Sequence, residues 1–480
     1  MKSLKQIQRK IFSLALTVLL LCSSAAGIKV QAAEGIEINR KNFASEGFAD
    51  YLRRAYDENK DGYLSKEECE KVELINIGKS GMHEVDVNSD TMTAVKGLEN
   101  FPNLREFNCS YTPISTLDLS KNPQLQVLNC RKSKIKSLDL RQNHKLEELN
   151  CTFNDIEKLD LSQNPNLETL TCYRTKLTQL DLKNNSKLST LSCGNTPLKA
   201  LDISHNKELV VLFCYNTEIS KLDTSNNPKL AKLIMHDCKV ADLSLNKNPK
   251  LRFFNCFNTG ISKLDLSNNK DLEEMVCSEM PLKNLDLSQN EKLSALDCSG
   301  TNIKQLDLSA NKKLQQLTCS ASLVGNIKFD HKIPRFAVAV YAKKQGNNYL
   351  FNLADTGIAA DKIKDVKDIS NTKIGETANL PAGVKFSAAK AQLQVPCEKM
   401  ESFDLVSLQQ PESQENRPNS AKLVYQVAQH KTAAAAERGN SGKAPAGGKK
   451  LLIYIIAFLL VVVIVGAYYI SSSVIKRNRK

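Results

Sequence analysis

LQVLNCRKSKIKSLDLRQNHK occupies Leu125–Lys145, and LEELNCTFNDIEKLDLSQNPN follows at Leu146–Asn166. Superposed, the two lines share leucine at the first and fourth places, cysteine at the sixth, isoleucine at the eleventh, Leu-Asp-Leu further on and asparagine near the end. Working outward, the first leucine recurs eleven times from Leu104 to Leu314. Cysteine recurs at Cys109, Cys130, Cys151, Cys172, Cys193, Cys214, Cys256, Cys277, Cys298 and Cys319, with Met235 in the one gap. Self-similarity at this period marks a solenoid, in which each unit covers the apolar face of the next.

The common line is L-x-x-L-x-C-x-x-T-x-I-x-x-L-D-L-S-x-N-P-x-L, a leucine-rich repeat with cysteine in the third apolar place of the strand. Alternation around it, with Phe107 and Cys109 inward and Asn108 outward, predicts one short strand per coil. Stacked coils then form a parallel sheet at a strand spacing of about 4.8 Å. An asparagine column runs without exception from Asn122 to Asn311. An amide that donates and accepts suits a buried turn. Aspartate stands before the second inward leucine in nine of ten coils from Asp118 to Asp307, Ser244 being the exception, and reads as a solvated turn residue.

A file of cysteines has three readings. Free thiols pack as small hydrophobes, which a narrow coil needs. Disulfides between neighbouring coils are disfavoured, because in-register Cβ atoms lie near the strand spacing and a disulfide needs about 3.8 Å. Zinc is disfavoured because a line of sulfurs does not converge tetrahedrally. Met235 supports packing, since another sulfur-bearing hydrophobe fills the place. Cys238, in the threonine slot of that coil, reads as local repacking.

With these ladders in view, the chain resembles the internalin-type leucine-rich repeat surface proteins of Gram-positive bacteria, in the cysteine-ladder (internalin J-like) subgroup. The resemblance covers roughly Asn42 to Ser320. It implies a curved horseshoe with the parallel sheet on its concave face, a partner bound on that face, a helical N-terminal cap and a role in adhesion. Many such proteins carry a Leu-Pro-x-Thr-Gly sorting motif before an apolar tail. Here GKAPAGGKK precedes the tail, so a retained membrane helix is expected.

The ends read as addresses. Residues 1–32 have a basic start, the apolar run IFSLALTVLLL and VQA before Ala33, as a cleavable signal peptide does. LLIYIIAFLLVVVIVGAYYI (Leu451–Ile470) has no charge over a length that spans a bilayer, and KRNRK follows it. The basic end stays cytoplasmic, which predicts a single-pass membrane protein with its ectodomain outside. Nine of the fourteen excess positive charges lie in these two termini, among them Lys2, Arg9, Lys476 and Arg479. What remains has no basic stripe with interleaved aromatics, which excludes nucleic acid as a partner.

DENKDGYLSKEE (Asp57–Glu68) matches the twelve-residue calcium loop of an EF-hand. Asp57, Asn59, Asp61, the Tyr63 carbonyl, Ser65 and Glu68 are the expected ligands, and Gly62 makes the turn. Helices are expected on both sides, over EGFADYLRRAY and SKEECEKVELI. The alternative is a cap that keeps the loop's shape without metal. Calcium would be structural, stiffening the cover of the solenoid's open end.

Reading the outward positions coil by coil, polar sets give way in the middle to Val211, Phe213 and Tyr215, then Ile234 and His236, then Phe253 and Phe257, with Val276 beyond and Tyr173 before. Such an apolar and aromatic cluster on a sheet face is a candidate ligand site, against the plain alternative of aromatics favoured by β-propensity.

The expected organisation is therefore an α/β solenoid with added parts: signal peptide 1–32, EF-hand-like cap 35–80, repeats 81–323, a small immunoglobulin-like β-sandwich 324–429, a flexible linker 430–450, a transmembrane helix 451–473 and a basic tail 474–480. No HExxH, GxSxG or P-loop spacing occurs, so no enzyme is expected. The expected function is a monomeric surface binding protein for a protein or a glycan. The alternative is an envelope structural or scavenging receptor for wall polymer or a nutrient near the membrane.

Overall fold

A computed structural model describes residues 35–78 and 92–320, and short segments between 323 and 426. The signal peptide, linker, transmembrane helix and tail expected above lie outside the described residues. Among the described residues, no helix is long and apolar enough to cross a membrane. The chain divides into two compact units, Met1–Leu296 with Thr301–Lys313, and Asp297–Gly300 with Leu314–Lys480.

The first unit opens with β1 (Ile36–Glu37), α1 (Arg40–Phe43), α2 (Glu46–Tyr56), β2 (Tyr63–Leu64), α3 (Lys66–Lys71) and β3 (Leu74–Asn76). Asn39 caps α1 and Ser45 caps α2, each side chain accepting an amide three residues on. Ser65 and Glu68 form a reciprocal capping box on α3. Phe43, Phe48, Leu52 and Leu64 are fully buried beneath these elements, with the Phe43 ring 6.5 Å from Phe101. The helix after the loop, α3, is shorter than the sequence suggests. It ends at Lys71 because Leu74–Asn76 is drawn into the parallel sheet, pairing with Glu106–Asn108.

From there one strand per coil follows: β4 (Glu106–Asn108), β5 (Val127–Asn129), β6 (Glu148–Asn150), β7 (Thr169–Thr171), β8 (Thr190–Ser192), β9 (Val211–Phe213), β10 (Lys232–Ile234), β11 (Phe253–Asn255) and β12 (Glu274–Val276). All pair in parallel with neighbours 21 residues away, so identical repeat positions stand side by side. The middle residue of each strand is buried. Each coil buries a set such as Leu188, Leu191, Cys193, Leu198, Leu201 and Ile203. Burying one leucine contributes about 2–3 kcal/mol, so the core is the sum of many equal layers.

The ladders behave as turn and core devices. Each column asparagine is buried and its Nδ2 donates to two carbonyls of the preceding coil; Asn206 reaches Leu182 O at 3.1 Å and Asn185 O at 2.8 Å. The expected acceptor role is mostly absent. The Oδ1 atoms of eight column asparagines, Asn122 among them, are buried without a protein partner. Asn248 differs: Thr224, buried in a leucine place, donates to its Oδ1 at 2.7 Å. Each column aspartate accepts the amide two residues on, as Asp202 does from Ser204 at 2.9 Å. These bonds, first of all those from the serine, hold Asp118, Asp160 and Asp265 below the ordinary carboxylate range. The twelve described cysteines are all buried thiols, and none of them forms a disulfide. Burial pushes Cys109, Cys151 and Cys193 up to about 12.

In the second unit Gln316–Ser320, Arg335–Tyr341 and Ser420–Gln426 pair in parallel, and Leu405–Gln409 and Asp365–Asp368 continue antiparallel. A separate antiparallel sheet joins Lys343–Gln345, Asn348–Asn352, Gln392–Pro396 and Lys385–Ser387.

Candidate functional site

After the strand each coil turns out through a residue of positive φ, and the backbone of the next coil holds it there. Tyr111, Lys132, Phe153, Arg174, Asn195, Asn216, Asp237, Asn258 and Glu279 occupy this place with φ of 51–59°. The amide of Lys132 donates to Thr152 O at 2.7 Å and that of Asp237 to Phe257 O at 3.0 Å. Left-handed backbone costs a non-glycine residue about 1–2 kcal/mol, offset here by a bond that repeats along the stack. This place adds a fourth outward column to the three read from the sequence.

Tyr173, Tyr215, His236 and Phe257 from the proposed patch form a file. The Tyr173 and Tyr215 rings lie 5.8 Å apart although their coils are not adjacent. Gly194 stands between them, and a Cβ there would meet the Tyr215 ring at 3.0 Å. The missing side chain is what lets the two rings meet, and their hydroxyls hydrogen-bond. Burial, then Tyr173, pushes the Tyr215 phenol up. Tyr215 and His236 stack at 4.6 Å, and Phe257 follows at 6.3 Å. His236 Nδ1 lies 2.8 Å from Asp237 Oδ2. Burial raises the Asp237 carboxyl, but the bonds from His236 and Asn258 outweigh it and hold it below its usual range.

Val211, Phe213, Phe253 and Val276 flank this file, half-buried. Lys232 lies among them with its ammonium 5.4 Å above both the Phe213 and the Phe253 ring. Burial pushes that ammonium down, opposed by Glu274, and burial likewise pushes Glu274 up. Ile234 departs from expectation. At 5 % exposure it is a buried support, set in register between Phe213 and Asn255 and not offered to a partner.

Sequence reasoning passed over a second cluster. Arg131 lies over Tyr111 and Phe153 at 5.5 and 5.6 Å, Lys132 over Tyr111 at 5.1 Å, and Arg174 over Phe153 at 5.2 Å. Phe153 also meets Tyr173 at 5.4 Å, so the two clusters are continuous. The signal lay in the fourth column, whose residues look like loop positions unless the positive-φ turn is known. Beside the file, Asn195, Asn216, Thr217, Asp237, Cys238 and Asn258 line an open polar pocket.

In the cap loop Asp57 accepts from the Asp61 and Gly62 amides, and Asn59 Oδ1 accepts from Asp61. Tyr63 donates its amide to Asp61. Both Glu68 oxygens are engaged, Oε1 by the Glu58 amide at 2.8 Å and Oε2 by Ser65. Burial opposes ionisation of Glu68, but these bonds hold its carboxyl below the ordinary value. Among the described residues, no group of three or more His, Cys, Asp or Glu side chains is placed to hold a metal ion. The oxygen donors have calcium chemistry, and Asp57, Asn59 and Asp61 sit together.

No family model matches the chain, and no curated protein matches it. Solved structures do. Internalin F of Listeria monocytogenes superposes with a TM-score of 0.50 at 16% identity, over 63% of this chain and 94% of that one. The functional domain of InlJ from the same organism, described as including a cysteine ladder, superposes with a TM-score of 0.44 at 21% identity, over 83% of this chain and 100% of that one. The fold is a leucine-rich repeat solenoid of the internalin kind.

Proposed function

We propose that the protein is a membrane-anchored surface binding protein, not an enzyme, that holds a protein partner against the outer face of strands β7–β12. The observation that carries this is the ring file. Tyr215 and His236 stack and cover one face of each other, Tyr173 and Phe257 are tilted against the ends of that pair, and Phe213 and Phe253 lie half-buried beside them. A sugar stacks on an open ring face, whereas side chains of a protein interface pack against edges and fill the spaces between them. The envelope-polymer reading draws on the neighbouring pocket, whose amides and Asp237 could hydrogen-bond hydroxyls.

The test puts the purified chain over immobilised surface extracts and on a glycan array, beside Phe213→Ala/Tyr215→Ala/Phe257→Ala. A discrete protein captured by the wild type and lost at least tenfold by the folded triple variant supports the reading, that loss being about 1.4 kcal/mol or more. Binding to polysaccharide alone favours the envelope reading, and a partner retained by the variant removes the site.

The same reading includes the signal peptide, the transmembrane helix, a membrane-proximal sandwich built from the two sheets of the second unit, and a monomeric ectodomain. It also includes structural calcium in the cap, with Asp57, Asn59, Asp61, Tyr63, Ser65 and Glu68 as ligands. Calcium would exchange for the amide bonds of Glu68, so its effect is a raised unfolding temperature. Titration calorimetry showing no heat at millimolar calcium would remove it.

A further inference from the structure

Cys238 breaks two columns at once. Its coil has methionine in the cysteine place, Met235, and cysteine in the place where Thr217 and Thr259 stand in the coils on either side. Those threonines donate to the carbonyl of their own coil's cysteine, Thr217 to Cys214 O at 2.8 Å and Thr259 to Cys256 O at 2.8 Å. Cys238 reaches back instead. Its Sγ lies 3.1 Å from Cys214 O and 3.2 Å from Thr217 Oγ1, close enough to Cys214 for the two thiols to influence each other's acidity.

Ladder cysteines stand in register, where the strand spacing of about 4.8 Å separates Cβ atoms too far for a disulfide. The Cys214–Cys238 pair is out of register. The register partner of Cys214 would be Met235, and Cys238 comes after the positive-φ turn at Asp237, which folds the chain back over Cys214. Cys238 is itself largely buried, at 6 % exposure, but it lines the open pocket beside Asn216, Thr217 and Asp237, whereas Cys193 and Cys214 are 0 % and 1 % exposed.

We propose that Cys238 and Cys214 are a thiol–disulfide exchange site, in which Cys238 takes up a low-molecular-weight disulfide from the pocket and Cys214 resolves it. In the first step the Cys238 thiolate attacks one sulfur of the reagent RSSR, forming Cys238–S–SR and releasing RS⁻. In the second, Cys214 gives its proton to a thiolate and its sulfur attacks Cys238 Sγ, expelling the second RS⁻. Two protein thiols are oxidised to one disulfide, RSSR is reduced to two RSH, and the protons of Cys238 and Cys214 end on them.

Acidity runs the same way as geometry. The Cys214 thiol, against burial, together with the bonds from Thr217, holds the Cys238 thiol down at about 7, whereas burial pushes Cys151 and Cys193 up to about 12. Thiolate is the nucleophile, so at neutral pH this pair contains the reactive partner.

The experiment treats the folded full chain with oxidised glutathione, quenches with acid and maps cysteines by mass spectrometry after tryptic cleavage. Cys214 lies alone in Glu208–Lys221 and Cys238 alone in Leu233–Lys239, so a bridge between these peptides identifies the pair. The expected result is that bridge, formed on the order of 100-fold faster than any modification of Cys151 or Cys172. Cys214→Ala should stop at glutathione on Cys238. Cys238→Thr, which restores the column residue and so preserves the coil, should leave Cys214 reduced. Cys238 unmodified in the folded wild type overturns the proposal, as does reaction of ladder cysteines at the same rate. A bridge from Cys238 to any other cysteine overturns the assignment of Cys214.

Discussion

The interior and the outer face of the same coils follow opposite rules. At the cysteine place the neighbour of a thiol is another thiol for coil after coil, and at the asparagine place an amide always meets the carbonyls of the coil before. On the outer face, one residue away, the first strand position runs Glu106, Val127, Glu148, Thr169, Thr190, Val211, Lys232 and Phe253. Stacking at a fixed spacing forces the interior to repeat, since a side chain that fits one layer fits the next. Nothing in the fold dictates the face, so this column varies freely, from Glu106 through Lys232 and Phe253 to Glu274. Burial, and then the neighbouring Glu106, Glu147 and Glu168, raise the Glu148 carboxyl.

The sharpest way to separate the two is alkali. A ladder thiol held at about 12 in the fold ionises near 9 when unfolded. The folded pKa is the raised one, so the stability each thiol contributes is complete below pH 9 and is lost as pH rises toward 12. The loss is about 1.4 kcal/mol per pH unit for each thiol. With several thiols acting together against a total of about 5–15 kcal/mol, the solenoid should unfold within about two units above pH 9. Circular dichroism across pH 8–12 checks this. A chain with Cys130, Cys151 and Cys172 replaced by alanine should unfold along a shallower slope, and an unchanged slope would place alkaline unfolding elsewhere.

Next in size is a matched pair on adjacent strands. Leu191→Ala removes a fully buried side chain and should cost about 2–5 kcal/mol in chemical denaturation. Phe213→Ala removes a half-buried ring from the face and should cost under about 2 kcal/mol while abolishing partner capture. Equal stability losses would mean that the ring file belongs to the core.

What the sequence made legible follows this division. Phe107 inward and Asn108 outward, the buried thiols without disulfides and the aspartate turns could all be read, because each rests on a residue type repeated at a fixed place. The positive-φ column could not, because its conformation is set by backbone bonds between coils, and Tyr111, Arg174 and Asp237 share nothing else. Ile234 counted as outward by alternation, yet bulky neighbours on the face bury it. Cys238 looked like repacking because the sequence shows which slot it fills but not that its sulfur reaches back to the previous coil. The end of α3 at Lys71 was hidden for a related reason, since the sheet takes Leu74–Asn76 from what is locally a good helix.

The smallest expected effect falls on the boundary between the two regions. Gly194 is an outward position without a side chain, and its ordinary backbone angle means that alanine is excluded there only by the Tyr215 ring and carbonyl at 3.0 Å. Gly194→Ala should therefore cost about 1 kcal/mol or less, since the interior of that coil is untouched. The added methyl must displace the Tyr215 ring, parting it from Tyr173 and opening it to water. The Tyr215 phenol, raised by burial and by Tyr173, should then lose part of both influences, and its ring resonance should shift toward that of a solvated tyrosine, which NMR of the tyrosine-labelled chain at neutral pH reads. If the resonance shifts while the denaturation midpoint barely moves, the ring file is a surface device laid over an indifferent scaffold. A midpoint that falls as far as in Leu191→Ala would mean that the rings hold the coils together, and the contrast between face and interior would fail at this coil.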